Sequence, residues 1–225
     1  MSRDRLLALG VLPPLAVFTV LMGAAMALYP GGTWEDLAAP GHSHLRNYLC
    51  DLERPVALNG QDNALGAACA TWGLLAFSLA LAPFFLLKAR VFPDRRRLGA
   101  VVAIAGVLAS LGGVGIVLLP SYRVGSLVHG VAVLLAAGPG LTAALCATLG
   151  TFTTTESVRA LRACAALTLL LTGASVAVFA RQLALGVTTT TGLPVLEKLA
   201  LLGALAWMVL TVARVAGAPA AQRAR

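Results

Sequence analysis

Six stretches of this chain stay apolar for twenty residues or more, and that repetition limits the fold before any motif is considered. They cover about 6–29, 64–87, 98–119, 124–150, 157–180 and 194–213. A helix rises about 1.5 Å per residue, so each run is long enough to cross a hydrocarbon core of roughly 30 Å. Lipid offers no partner to a backbone N–H or C=O, so such a run must close its hydrogen bonds within itself. The sequence therefore predicts an all-α, single-domain protein over 1–225, a six-transmembrane-helix bundle with a polar outer loop between helices 1 and 2. Only 12% of the residues are charged and 59% are hydrophobic, about half the charged fraction of a soluble domain. The net charge of +8 does not point to nucleic acid, because the basic residues sit at the ends of apolar runs and form no stripe with interleaved aromatics.

Those basic residues set the expected orientation. The connector Lys88 to Arg97, KARVFPDRRR, has five basic residues among its ten and is expected in the cytoplasm. With that assignment twelve of the seventeen lysines and arginines lie inside; Arg46, Arg54, Arg123, Arg181 and Lys198 lie outside. Both termini are then cytoplasmic and the setting is a bacterial inner membrane. Ala25-Met26-Ala27 has the small-x-small spacing of a signal-peptidase site, but the run before it is long for a signal peptide, so the first span is expected to be retained. Helix-packing signals are Ser110, Gly112, Gly113 and Gly115 in the third span, and Gly138-Pro139-Gly140 is expected to kink the fourth. Thr153 to Glu156 has capping-box spacing for the start of the fifth span, and a threonine run, Thr188 to Thr191, falls in the last outer loop.

Chemistry is concentrated between Gly41 and Asn63, GHSHLRNYLCDLERPVALNGQDN. With Glu35 and Asp36 just before it, this region holds five of the nine acids and two of the three histidines. The third, His129, lies about five residues into the fourth span, roughly 8 Å below the outer surface; it shares a helix face with Tyr122, Gly125 and Ser126. An ionisable residue at that depth marks a candidate site. One reading is a zinc centre on His42, His44, Asp51 and His129 that would serve a lipid ester or amide hydrolase. Its bland counterpart has His42 and His44 solvated and His129 neutral, bonded to a carbonyl or to Tyr122.

The other reading is a binding or gating cap. Arg46, Asp51, Glu53 and Arg54 would hold the loop by ion pairs, Asn47, Asn59 and Asn63 would satisfy backbone groups, and Tyr48, Leu49, Leu52, Val56 and Leu58 would anchor it. A lipid head group or small polar ligand would meet Arg46, Asn47, Asp51, Arg54, Tyr122, His129, Arg181 and Glu197. Glu197 and Lys198 open the last span, either as a solvated helix start or as a functional pair. The four cysteines show no paired spacing; Cys50 and Cys69 leave a disulfide open. One histidine in a span does not make a bis-imidazole haem site, and no G-x-S-x-G elbow supports a serine triad.

Three features resemble a family of uncharacterised bacterial six-span proteins grouped with the Frag, DRAM and Sfk type of membrane proteins. They are Asn47 to Leu52, N-Y-L-C-D-L, with Asn63-Ala64-Leu65-Gly66; His129 after Leu119 to Tyr122, L-P-S-Y; and Gly192 to Lys198, G-L-P-V-L-E-K, with Trp207 beyond. Where that family's outer motif reads S-D-L-G, this chain has Cys50-Asp51-Leu52-Glu53. The resemblance implies a six-helix fold and a link to lipid handling, and supplies no catalytic residues. A fainter similarity is to the seven-span metal-dependent ceramidase superfamily, whose last-helix H-x-x-x-H is missing here. Membrane lipids are the expected partners, with a homo-oligomer or other membrane subunits left open.

Overall fold

The computed structural model describes residues 3–92, 95–153, 158–186 and 192–217. Its helices are α1 (Arg3–Leu28), α2 (Ala64–Ala89), α3 (Arg96–Leu118), the short α4 (Ser121–Val124), α5 (Ser126–Thr153), α6 (Arg159–Leu185) and α7 (Leu193–Gly217), with a single 3-10 turn at Leu49–Glu53. All but α4 are long and apolar enough to cross a membrane, so the expected six-span all-α bundle is the fold. Each long helix packs on its neighbour in the chain, and α7 returns to α1, which closes the ring.

Small residues set the close crossings. Gly106 of α3 lies against Phe85 of α2, where a methyl group would collide with the ring's own Cβ. A methyl on Gly112 would come within 2.6 Å of Ala136 of α5, and one on Gly113 within 2.7 Å of Ser78 of α2. The Ser110 hydroxyl donates to the Ser78 carbonyl at 2.7 Å, whereas Gly115 faces open space and plays no part in packing. One core cluster joins Phe84, Phe85 and Trp207, with ring centroids 5.0 to 6.3 Å apart, to Val102, Ala147 and Leu161. A second cluster, at the cap end, packs Phe18, Met22, Tyr29 and Ala70 against Leu49, Leu52 and Ala57.

Several boundaries differ from expectation for local reasons. Gly125 adopts φ +84, open to glycine and strained for other residues, so the chain breaks there and the fourth span begins at Ser126. That span runs on to Thr153, whose hydroxyl donates to the Gly150 carbonyl at 2.9 Å. Thr153 thus ends α5 instead of capping α6, and Glu156 and the Thr188 to Thr191 run lie outside the described residues. The fifth span continues past Arg181 to Leu185, where Gly186 at φ +64 caps it in a left-handed conformation. Lys88, expected in the basic connector, instead lies inside the bundle at 1% exposure. Its ammonium donates to Thr151 Oγ1 at 2.9 Å and stands over the Phe92 and Trp207 rings at 5.9 and 5.6 Å.

Candidate functional site

The segment between α1 and α2 folds as a cap because its turns use residues suited to them. Gly32, at φ +87, passes so close to Leu58 and Asn59 that a side chain there would strike their backbone. Its N–H donates to the Ala39 carbonyl at 2.7 Å and closes a loop that carries Trp34. The Asp36 N–H donates to Thr33 Oγ1 at 3.0 Å and tightens the same loop. At the far end, Asn63 donates through Nδ2 to the carbonyls of Leu52 and Arg54 at 3.2 and 2.8 Å. Its side chain folds over Gly66, where a methyl would collide with Oδ1, and this accounts for the Asn63-Ala64-Leu65-Gly66 pattern.

Asn47 is the centre of the cap and has no exposed surface. Its Nδ2 donates to the Gly32 carbonyl at 2.8 Å and its Oδ1 accepts from the Ser43 N–H at 2.8 Å. The same Nδ2 lies 3.4 Å from Asp51 Oδ2. Asp51, only 2% exposed, accepts from Trp34 Nε1 and from the Tyr48 N–H, both at 2.9 Å. These contacts replace the ion pairs expected for Asp51. Among the described residues the cap's one ion pair is Arg46 to Glu35 at 3.5 Å, on the surface, and Arg54 lies instead over the Trp34 ring at 5.9 Å. Leu49 and Leu52 are buried as anchors, while Val56 is 55% exposed and anchors nothing.

The cap is held to α7 and α6. Glu197 Oε2 accepts from the Leu49 N–H at 3.0 Å, and Lys198 Nζ donates to the carbonyls of Asn47 and Pro194. Gln182 of α6 donates to the Tyr48 hydroxyl at 3.3 Å. Glu197 and Lys198 are therefore a latch between the last helix and the loop, in place of a solvated helix start.

Charge inside the cap is unevenly compensated. Burial, reinforced by the nearby charge of Glu197, pushes the Glu53 carboxyl up to about 8. Burial also raises Asp51, against the opposing pull of the Tyr48 N–H, Trp34, Asn47 and Arg54. The Cys50 thiol is pushed well up by burial and then by Asp51, Glu197 and Glu53, which leaves it a poor nucleophile at neutral pH. Burial, with the Lys198 and His44 charges, brings His42 down to about 4, so its ring is neutral at physiological pH. Several buried polar atoms of the cap lack a hydrogen-bond partner: Glu53 Oε1, Arg54 Nε, Asn63 Oδ1 and both His42 ring nitrogens.

Of the residues predicted for a site, the fold gathers His42, Asn47, Asp51, Arg54 and Glu197 in and under the cap. It adds Trp34, Glu53, Lys198 and Gln182 to them. His129 is engaged elsewhere: Gly125 breaks the helix, so His129 falls in the first turns of α5 and its Nδ1 meets the Leu119 carbonyl at 2.7 Å. Tyr122 belongs to α4 with Arg123 over its ring at 5.5 Å, and Arg181 is exposed on α6. The expected zinc set is not assembled. Among the described residues no three His, Cys, Asp or Glu side chains form a group able to hold a metal ion. His129 is bonded to Leu119, Asp51 is occupied by N–H donors, and His42 and His44 stack edge to face at 4.9 Å. All four cysteines, Cys50 and Cys69 included, are free thiols. Comparison with family models, with curated proteins and with solved structures finds no match to this chain.

Proposed function

We propose that this is a multi-pass binding protein of the bacterial inner membrane, with both termini in the cytoplasm, whose outer cap takes a small polar ligand or lipid head group bearing a protonated amine. The excess of basic residues at the end away from the cap supports that orientation. The observation that carries the ligand chemistry is Glu53: it is 2% exposed, its Oε1 lacks a partner, and it feels the charge of Glu197. A buried acceptor without a partner costs about 1 to 3 kcal/mol. An ammonium donor at Glu53 would remove that cost, and its positive charge would offset the Glu197 charge and favour the ionised form of Glu53, which burial otherwise keeps protonated at neutral pH. The neutral His42 ring, within reach of the Lys198 charge, is a further cap acceptor that adds no positive charge.

Binding is tested by thermal melting of the detergent-purified protein with phosphatidylethanolamine, phosphatidylcholine, phosphatidylglycerol or free ethanolamine. The expected result is saturable stabilisation by an ethanolamine group, weaker with choline, which has no N–H to donate, and lost in Glu53→Gln. Stabilisation by the lipid alone identifies a head group as the ligand, and stabilisation by both identifies the amine itself. Equal responses to all four compounds, or an unchanged response in Glu53→Gln, would refute the reading.

A further inference from the structure

At the end of the bundle opposite the cap, the start of α1, the end of α2 and the start of α3 border an open cleft of about 600 Å³. That volume lies in the range of small-molecule and lipid sites, about 300 to 1,000 Å³. Two kinds of surface meet in it. Leu6, Leu7 and Leu86 form an apolar wall, and Arg3, Arg90 and Arg96 bring three arginines to the same cleft, with no carboxylate among its described lining residues. Arg90 is already matched, since its Nε lies 2.6 Å from Asp4 Oδ1. Arg3 and Arg96 supply the remaining positive charge. Leu6 is 53% exposed, so the apolar wall continues onto the surface that faces lipid.

From this juxtaposition we infer that the cleft seats one anionic phospholipid, with its phosphate on Arg3 and Arg96 and an acyl chain along Leu6, Leu7 and Leu86. Basic pockets between transmembrane helices on the cytoplasmic side suit acidic head groups, and guanidinium matches phosphate through paired N–H donors. A free anion would leave the leucine wall unused, and a zwitterionic lipid would set its ammonium against the two arginines. The small side chains of Ala100 and Ala103 leave room on the α3 side of the cleft. This site is independent of the cap and of its ligand.

Native mass spectrometry of the full chain, released from mixed micelles of phosphatidylglycerol and phosphatidylcholine, tests the assignment. One phosphatidylglycerol should be retained in preference to phosphatidylcholine, and inorganic phosphate should not displace it. Loss of each arginine should weaken the preference about fivefold, so Arg3→Gln with Arg96→Gln together should lower it about 25-fold. Arg159→Gln, a basic residue at the start of another helix, should leave it unchanged. Ala103→Phe fills the cleft without altering charge and should also expel the lipid, which keeps the test decisive if the arginine pair fails to fold. Equal retention of both lipids by the wild type, displacement by phosphate, or an equal loss in Arg159→Gln would overturn the assignment.

Discussion

Replacing Asn47 with alanine should release the cap as a unit, and its contacts give the size of the effect. The change removes two good hydrogen bonds, to the Gly32 carbonyl and from the Ser43 N–H, each at 2.8 Å, at a residue with no exposed surface. The bond to Asp51 at 3.4 Å is long and adds little. Gly32 keeps only a weak donor, the Tyr29 hydroxyl at 3.4 Å. Each group left without a partner costs about 1 to 3 kcal/mol, the Ser43 N–H toward the lower end because Ser43 is half-buried. The local opening free energy should therefore fall by about 2 to 4 kcal/mol, which corresponds to exchange about 30- to 700-fold faster. Hydrogen exchange should be read at the Leu49 amide, whose partner is Glu197 and whose bond does not involve the Asn47 side chain. Acceleration there shows that loss of Asn47 undoes the α7 latch. Acceleration confined to Ser43, with Leu49 changed less than about threefold, would refute the claim that the cap opens cooperatively.

Other consequences concern charge and packing. Glu53 binds its proton more tightly folded than unfolded, so stability should fall as pH rises from about 4.5 to about 8 and level off above that. His42 acts in the opposite sense, raising stability between about 4 and 6.5, so the decline should be clearest from pH 6.5 to 8. Melting curves across that window should slope downward in the wild type and flatten in Glu53→Gln; equal slopes would sink the assignment. Lys88→Met removes a buried ammonium that has no carboxylate partner among the described residues, while Thr151 still donates to the Ala147 carbonyl at 2.7 Å. Thermal stability in detergent should hold or rise, and a loss above about 2 kcal/mol would contradict this account. Gly106→Ala drives a methyl into Phe85 at the α2–α3 crossing and should cost about 1 to 3 kcal/mol, measured by denaturant titration; a neutral result would mean the helices part easily.

The membrane spans were legible in the sequence because hydrocarbon thickness imposes a run length that composition alone reveals. Their ends were less so. Gly125 and Gly186 act through a backbone angle that a list of apolar residues does not display. Asn47 and Asp51 were recognisable as cap residues from their polarity amid apolar anchors, but their partners were not, since Asp51 meets an indole N–H and backbone where an arginine was expected. His129 shows the limit of helical-face reasoning: the spacing to Tyr122 was correct, but the helix joining them is interrupted. Lys88 resembled its basic neighbours in sequence, and only the third dimension places Thr151 and Trp207 around it. Glu53 offered one signal that could have been used, its place directly after Leu52 in a segment whose leucines turn inward.

The latch at α7 also implies an order of assembly. Leu49 and Asn47 are made 148 and 151 residues ahead of Glu197 and Lys198, the side chains that fasten them. While the chain is still being synthesised, the connector can pack its leucines on α1 and α2, but the Leu49 N–H and the Asn47 carbonyl must wait without these two partners. Arrival of the final helix supplies the missing acceptor and donor together, so completion of the ring and closure of its lid become a single late event.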